Sequence, residues 1–357
     1  MPVMHSRTLN SDHGLPTVAI TMGDPGGIGP EIIAKALADP SLRIKANYII
    51  FGNPEPMNQA AQAAKMRPYW NDDPGITFAD ADALDSVPTR GDSVLGGAAS
   101  FHWFDRAIAR AKLTREIAAR DIPVKRPFVP PFDEAIDAIV TAPISKRAWH
   151  MAGHTSFSGH TDMLGERFGT PRVTMLFHAP SKGEQRELNV ALATVHIPLS
   201  RVPTDLSEAR IVHAAEHMHE LLTRLGHVRP RIGVAGLNPH AGEGGLMGDE
   251  EDRIITPAIK KIQSLGIDCS GPFAGDTIFN RMSSGALDGV VAMYHDQGLI
   301  PVKLLAWDRA VNVTMGLPII RTSPDHGTAF DIAGQNIANE GSMRAAISLA
   351  LRMLVKA

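Results

Sequence analysis

Residues 17–37 read TVAITMGDPGGIGPEIIAKAL, and this stretch decides the fold class. The β-branched run before the glycines is typical of a buried strand. Pro30 and Glu31 are typical of the first turn of a helix. A second apolar run, NYIIFG at residues 47–52, and further alternation of strand and helix patterns predict an α/β protein with a parallel sheet.

The glycine-rich turn in this stretch has two interpretations. Gly23, Gly26, Gly27 and Gly29 do not form the G-x-G-x-x-G pattern of dinucleotide-binding turns, and Lys35 is not placed as in a phosphate-binding P-loop. The turn is either a tight strand-to-helix crossover or part of the lining of a cleft. The sequence leaves both interpretations open.

Length and composition restrict the class of protein. The 357 residues suffice for two domains with sizeable cores, and the formal net charge of -3 argues against a nucleic-acid scaffold held by bulk positive charge. Cys269 is the only cysteine, which excludes an internal disulfide framework and a thiolate zinc cluster. Residues 1–16 are polar, and no apolar run approaches membrane-spanning length. We expect a soluble cytoplasmic protein with a flexible amino-terminal tail.

Residues 71–133 differ in character from the rest of the chain. Pro, Asp and Gly cluster at both ends of this region, around an amphipathic pattern at residues 98–120. The predicted apolar side of that helix consists of Phe101, Phe104, Ile108 and Leu113. The prolines of residues 121–134 predict an extended connection. We interpret the region as a linker-like surface excursion and assign it no chemistry.

Residues 294–334 are dense in ionisable groups set among short apolar runs and glycines. Lys303, Asn312 and Arg321 offer a compact cation, an amide and a planar guanidinium, on what we expect to be turns or strand ends. Arg binds oxyanions with two parallel hydrogen bonds, and Lys adds a point charge. Each residue alone is more simply interpreted as solvated or as a turn cap. Together they predict a site for a phosphate or carboxylate.

A second anion-binding element is predicted at residues 159–161, Gly-His-Thr, directly before a helical pattern at residues 162–168. Thr161 is placed to cap that helix, and the free amides of a first helical turn attract anions. His160 and Thr161 therefore suit a phosphate oxygen, although an ordinary cap with an exposed histidine fits as well. His154 and Thr155 repeat the dipeptide, and the pattern does not choose between the two pairs.

Three histidines each stand just past the end of a separate apolar run: His196, His240 and His295. Each alone fits a loop histidine with ordinary hydrogen bonds. Their shared placement predicts convergence at one edge of a sheet. Neutral imidazole is a frequent ligand of divalent transition metals, and three protein ligands with open positions describe a catalytic metal site.

One rival motif is present on a predicted helix. His213, Glu216 and His217 spell H-x-x-E-H, a signature of one class of metalloprotease. The same segment fits an amphipathic surface helix whose apolar residues are Ile211, Val212, Met218, Leu221 and Leu222. We favour the structural interpretation.

Six motifs together carry a resemblance to a known family. They are GDPGGIGPEI, TAPISK, GHTD, NPHAGEGG, YHDQG and KLLAWDRAVNVTMGLPIIRTSPDHGTAFDIAG. In these motifs the chain resembles the 4-hydroxythreonine-4-phosphate dehydrogenase family of pyridoxal phosphate biosynthesis, from about residue 17 to the carboxyl terminus. Residues 71–133 match least.

The resemblance implies an isocitrate/isopropylmalate dehydrogenase-like fold, in which two α/β domains flank a cleft, and a homodimer with shared active sites. The expected organisation is a tail at 1–16, a first domain at 17–143 plus 300–357, and a second domain at 144–299. It also implies NAD or NADP as cofactor and a divalent metal ion, Zn, Mg or Co.

The resemblance further implies roles for individual residues. His196, His240 and His295 match the family's metal ligands. The family's substrate-binding residues correspond to His160, Thr161, Lys303, Asn312 and Arg321 of this chain.

The implied reaction oxidises the hydroxyl carbon of 4-phosphooxy-L-threonine and then releases CO2 from the resulting β-keto acid. Lys303, Asp276 and Asp296 are candidates for the base that takes the hydroxyl proton. Asp325 and His326 are expected to help hold the nicotinamide cofactor near residues 316–333. A related substrate such as 4-phospho-D-threonate, and a non-catalytic homologue that only binds metal and phosphate, are the alternatives.

Overall fold

The computed structural model describes residues 14–81, 90–119, 135–183 and 185–355. The predicted tail at 1–16 and the predicted extended connection at 121–134 lie wholly or almost wholly outside these ranges. The described residues form a mixed 11-stranded sheet in the order β3-β2-β1-β4-β11-β10-β5-β6-β9-β7-β8. The strands are β1 (Thr17–Thr21), β2 (Asn47–Phe51), β3 (Ile76–Ala79), β4 (Ala138–Thr141), β5 (Thr174–Ala179), β6 (Leu188–Leu192), β7 (Ile232–Ala235), β8 (Cys269–Phe273), β9 (Gly289–Ala292), β10 (Val311–Met315) and β11 (Ile320–Pro324).

Helices cover the sheet, and the α/β class is confirmed. They are α1 (Gly29–Leu37), α2 (Pro40–Arg43), α3 (Pro54–Ala63), α4 (Val94–Ala119), α5 (Lys146–Met151), α6 (His160–Phe168), α7 (Val202–Asp205), α8 (Glu208–Arg224), α9 (Thr256–Ser264), α10 (Ile278–Ser283), α11 (His295–Ala306) and α12 (Gly341–Leu354). The prediction of a parallel sheet was right for most strand pairs, but β10 pairs antiparallel with both β11 and β5, and β5 pairs antiparallel with β6. The division into two domains stays a prediction.

The turn between β1 and α1 is a tight crossover. Gly23 has φ +71°, and a Cβ there would lie 2.2 Å from the carbonyl oxygen of Pro143, so only glycine fits. Lys35 forms an ion pair with Glu31 (Nζ–Oε1 2.8 Å) and donates to the carbonyls of Asn336 and Ala338. Lys35 therefore ties α1 to the segment before α12.

Helix α4 lies deeper than a surface excursion. Its buried stripe has the helical spacing of a core-facing side: Ala99, Ser100, Trp103, Phe104, Ala107, Ile108 and Ala111. The prediction for Leu113 was wrong, because this residue falls off the stripe and is 56 % exposed. Trp103, which the predicted set omitted, is fully buried and donates from Nε1 to the carbonyl of Asp80. Within the described residues, no helix is both long and apolar enough to cross a membrane.

Candidate active site

The three predicted histidines follow three neighbouring strands. Strand β9 lies between β6 and β7 and is parallel to both. His196 follows β6, His240 follows β7, and His295 begins α11 directly after β9. Since the carboxyl ends of parallel strands meet at one edge of a sheet, all three histidines leave the sheet on the side where α/β proteins bind ligands.

His196 and His295 form a close pair, with ring centroids 5.3 Å apart. Burial lowers the pKa of His196 below its usual value, and the nearby charges of Lys146 and His295 lower it further. A neutral imidazole keeps a lone pair for a metal ion. The donor set of this histidine pair suits a divalent transition metal ion.

His240 stands apart from the pair on an unusual turn. Residues 240–244 all have positive φ values, from 44° to 80°. The His240 side chain is 59 % exposed, and its Nδ1 lies 2.6 Å from Oε1 of Glu243. No group of three His, Cys, Asp or Glu side chains able to hold a metal ion occurs within the described part of one chain. Among the described residues of one chain, therefore, only two of the three predicted metal ligands, His196 and His295, lie close together.

Arg321 lies on β11 and is 2 % exposed, so it is not the solvated side chain that the simpler interpretation expected. Its Nη1 donates to Thr314 Oγ1 (2.9 Å) and its Nη2 donates to Thr141 Oγ1 (2.7 Å). Its Nε has no hydrogen-bond partner, and no described carboxylate forms an ion pair with it. Burial lowers the pKa of Arg321 to about 9, which leaves the group charged at neutral pH. A buried cation without a counter-ion favours an anionic ligand.

The strand register places other polar groups on the same face of the sheet. Thr314 pairs with Arg321 across β10 and β11, and Asn312 lies two residues before Thr314. The buried Oδ1 of Asn312 has no hydrogen-bond partner. We call Arg321, Asn312, Thr314 and Thr141 the Arg321 cluster.

His160 and Thr161 begin α6 next to this cluster. Burial lowers the pKa of His160 well below its usual value, and the charges of Arg321 and Lys146 lower it further. The His160 ring lies edge-on to Phe104, with centroids 4.6 Å apart. The expected cap at Thr161 was wrong, because α6 starts one residue earlier at His160 and Gly159 takes the cap position without a side-chain bond. The first amides of α6 are therefore left for another acceptor.

Lys303 lies in α11 rather than on a turn, and it is paired within the chain. Its Nζ lies 2.7 Å from Asp325 Oδ2 and donates to the carbonyl of Asp325 (3.0 Å). Burial raises the pKa of Asp325, and the hydrogen bond from Lys303 opposes this rise. His326 bonds the carbonyl of Gly327 through Nδ1, and its buried Nε2 has no partner.

The remaining two base candidates occupy different surroundings. Asp296 accepts from Nδ1 of His295 (2.7 Å) and is 71 % exposed. Asp276 lies on an exposed turn after β8, and no hydrogen bond or ion pair joins it to another residue in the described ranges. The assignment of Lys303, Asp276 or Asp296 as the base stays a prediction.

Lys146 is a residue that the sequence interpretation did not select. It begins α5, a few residues after the carboxyl end of β4, and a Cβ on Gly159 would lie 3.3 Å from its Cε. Its charge lowers the pKa of both His160 and His196. Lys146 therefore lies near both His160 and His196. The signal in the sequence was its position after a strand, the same signal that selected the histidines.

Comparison with known proteins shows the family. Residues 132–350 match the family described as pyridoxal phosphate biosynthetic protein PdxA. The chain belongs to the PdxA family. A D-threonate 4-phosphate dehydrogenase of Cupriavidus necator is 41 % identical over 93 % of this chain and 96 % of its own length. A 4-hydroxythreonine-4-phosphate dehydrogenase of Beijerinckia indica is 41 % identical over 96 % of both chains.

A solved structure of a putative 4-hydroxythreonine-4-phosphate dehydrogenase from Salmonella typhimurium also matches the PdxA-family chain. The TM-score is 0.75 and the identity is 38 %, and the match covers 95 % of this chain and all of the other. These relatives are dehydrogenases, and this PdxA-family chain is a dehydrogenase as well.

The protease motif has a structural role in this PdxA-family chain. Helix α8 is amphipathic as predicted, and all five of its predicted apolar residues are buried. Nδ1 of His217 bonds the hydroxyl of Thr174 (2.7 Å), and burial lowers the pKa of His217. The motif joins α8 to β5 and forms no metal-binding group with its described neighbours.

Proposed function

We propose that this chain catalyses the metal-dependent, NAD(P)-linked oxidation of 4-phosphooxy-L-threonine. The hydroxyl carbon loses a hydride to NAD(P)+ and its hydroxyl loses a proton. The resulting β-keto acid then releases CO2 to give 3-amino-2-oxopropyl phosphate, a step in pyridoxal phosphate biosynthesis. The observation that carries the proposal is the buried, charged guanidinium of Arg321, which has no counter-ion among the described residues.

The Arg321 cluster supplies the binding of the phosphate. The guanidinium is held by the hydroxyls of Thr141 and Thr314, so its orientation is fixed before a ligand arrives. Asn312, the amides at the start of α6, and the ring of His160 complete the set of polar groups. Because His160 is neutral, it donates to a phosphate oxygen without adding a second buried charge.

The histidine pair supplies two ligands for the metal ion, and His240 is the proposed third. A bound divalent ion would act as a Lewis acid toward the substrate's hydroxyl oxygen. Lys146, whose charge lies near His196, and Lys303, which pairs with Asp325, are the proposed contacts of the substrate's carboxylate. Asp325 and His326 are the proposed contacts of the nicotinamide cofactor, which accepts the hydride.

A homodimer with shared sites explains why His240 lies apart from the pair. Helix α11, which begins with His295, and its C-cap residue Trp307 expose an apolar stripe at helical spacing: Ile300, Leu304 and Trp307, each at least 65 % exposed. A second copy of the chain would cover this stripe and bring its own His240 to the pair. The cytoplasmic location stays a prediction.

4-Phospho-D-threonate is the second candidate substrate. The relatives from Cupriavidus necator and Salmonella typhimurium that are named D-threonate 4-phosphate dehydrogenase are 41 % and 39 % identical to this chain. Both substrates carry the phosphate that the Arg321 cluster suits, and they differ in the amino or hydroxyl group on the carbon next to the carboxylate.

A direct assay separates the two substrates. The purified protein with a divalent metal is mixed with NAD+ or NADP+ and each substrate, and reduced nicotinamide is followed by absorbance. We expect a higher kcat/KM with 4-phosphooxy-L-threonine. A higher value with 4-phospho-D-threonate would assign the second substrate. Absence of turnover with both would overturn the proposed function in favour of a binding protein.

The Arg321→Lys variant tests the phosphate assignment. Lysine keeps the charge and loses the two-pronged donor geometry. We expect KM for the phosphorylated substrate to rise about tenfold or more. Turnover of the same compound without its phosphate should stay at its low wild-type level. Arg344→Lys, an exposed arginine, is the matched control. An unchanged KM in Arg321→Lys would remove the phosphate from this cluster.

A further inference from the structure

His240 and His295 each contact a carboxylate through the ring nitrogen Nδ1. Glu243 Oε1 lies 2.6 Å from Nδ1 of His240, and Asp296 Oδ1 lies 2.7 Å from Nδ1 of His295. An ionised carboxylate only accepts hydrogen bonds, so Nδ1 carries the proton in both contacts. In a ring that carries this one proton, the lone pair lies on Nε2, on the far side of the ring from the carboxylate.

The contact of Glu243 depends on the shape of its turn. Residues 240–244 run through five successive left-handed conformations. His240, Ala241 and Glu243 accept this conformation although they are not glycines, and side chains with a Cβ avoid it. The left-handed turn brings the side chains of His240 and Glu243, which are three residues apart, into contact. Strained backbone of this kind persists where the surrounding structure specifies it, and often at functional sites.

The contact of Asp296 is built in a different way. His295 and Asp296 are the first two residues of α11. A carboxylate is favoured at a helix amino terminus because the first amides and the helix dipole attract negative charge. Two unrelated backbone geometries thus produce the same carboxylate-to-Nδ1 contact. Metal-binding histidines commonly donate their second nitrogen to a carboxylate in this manner, which fixes the ring and raises the basicity of the ligating nitrogen.

We infer that Glu243 and Asp296 are positioning residues that turn Nε2 of His240 and His295 toward the metal ion. The inference rests on the proposed function, since it assumes that these histidines bind the metal. It also gives Asp296 a role other than that of the base, because its carboxylate is engaged by His295.

Metal affinity of the full-length protein tests the inference without any substrate. Co2+ and Zn2+ are titrated into the metal-free protein against a competing chelator. We expect Glu243→Ala and Asp296→Ala each to weaken binding by about 10–100-fold. Glu243→Gln and Asp296→Asn, whose amide oxygens still accept from Nδ1, should lose less. Asp249→Asn is the control, because Asp249 lies near the same turn and pairs with Arg253 instead.

A double-variant cycle separates positioning from a general effect on the fold. In a His240→Ala background, the further change Glu243→Ala should leave metal affinity unchanged, because the ring on which it acts is gone. Equal losses in both backgrounds would overturn the positioning role. Affinities of Glu243→Ala and Asp296→Ala within twofold of wild type would overturn it as well.

The single variant His240→Ala distinguishes this inference from the proposed function. If His240→Ala binds Co2+ as tightly as wild type, the ligand assignment in the proposed function fails. If His240→Ala loses the metal while Glu243→Ala and Asp296→Ala keep it, only the positioning role fails.

Discussion

The Arg321 cluster and the three predicted metal ligands, His196, His240 and His295, are built in opposite ways. The Arg321 cluster lies on strands at the centre of the sheet, and its guanidinium is oriented by two threonine hydroxyls within one chain. His240 and His295 stand beyond the ends of their strands, partly exposed, with carboxylates beside them. All four residues of the Arg321 cluster lie together in one chain. Of the three predicted metal ligands, only His196 and His295 lie close together in one chain.

This difference separates two tasks of the proposed enzyme. A charge buried without a counter-ion costs free energy in the unliganded fold, and rigid strands hold it in place until an anion binds. Metal ligands at the surface of one chain cost less free energy in the unliganded fold. They need further ligands from elsewhere to complete the metal site. We expect changes in the Arg321 cluster to act within one chain, and changes at the histidines to act between chains.

The largest expected effect comes from combining two damaged chains. His240→Ala and His295→Ala should each lower kcat/KM by about 10³-fold. If a site takes His295 from one chain and His240 from its partner, a mixed dimer holds one intact site. Random pairing makes half of the dimers mixed, so co-expression should restore about a quarter of wild-type turnover.

The matched control for this experiment uses the histidine pair. His196 and His295 lie 5.3 Å apart in one chain, so co-expressed His196→Ala and His295→Ala chains should recover nothing. Recovery in this control, or none in the first mixture, would break the contrast drawn between the two regions.

A smaller effect is expected for Arg321→Met, which should lower kcat/KM without lowering the free energy of unfolding. Loss of charge-assisted bonds to the phosphate should lower kcat/KM by about 10²-fold. The free energy of unfolding of the unliganded protein should stay equal or rise, because an uncompensated buried charge has been removed. Enzyme kinetics and urea unfolding measure the two quantities.

Arg309→Met is the comparison for stability. Arg309 is also buried, but its Nη1 pairs with Asp308 and its Nε donates to the carbonyl of Pro180. Its removal deprives the carbonyl of Pro180 of its donor, while Asp308 keeps its ion pair with Lys182. We therefore expect the free energy of unfolding to fall by about 1–2 kcal/mol. Equal destabilisation by the two variants would show that Arg321 is compensated after all.

The α/β class and the placement of the three histidines after their strands could be predicted because both depend on local sequence patterns. Strand and helix periods are local, and a polar residue just after an apolar run marks the end of a strand. That rule located His196, His240 and His295 correctly, and it also applies to Lys146, which the interpretation passed over. The density of ionisable groups at residues 294–334 also selected Asn312 and Arg321, and the family motifs agreed with that choice. Neither signal selected Thr141 or Thr314.

The remaining features depend on contacts that a local pattern does not carry. Burial of Arg321 follows from its place in the middle of an 11-stranded sheet. The left-handed turn at 240–244 contains three residues that disfavour that conformation, so propensity argues against it. In α4, the choice between the stripe through Trp103 and one through Leu113 depends on which neighbours pack there.

The last expected effect depends on pH and concerns the loop after β1. Asp24 is fully buried, its Oδ1 accepts from the amide of Gly26 (3.0 Å), and its Oδ2 has no partner. Burial raises the pKa of Asp24 from 3.8 to about 6. A carboxyl with a raised folded-state pKa stabilises the fold below its unfolded value, and this contribution is lost as the pH rises through about 6.

Asp24→Asn removes that loss, because the amide keeps the oxygen that Gly26 needs and cannot ionise. Relative to wild type, its free energy of unfolding should increase between pH 4 and pH 7 by at most about 3 kcal/mol, and then level off. Urea unfolding across this range measures the difference, and Asp249→Asn, an exposed carboxylate, should show none of it. A gain that does not depend on pH would mean that Asp24 stays protonated or paired. In that case the unpaired charge inside the sheet would be confined to Arg321.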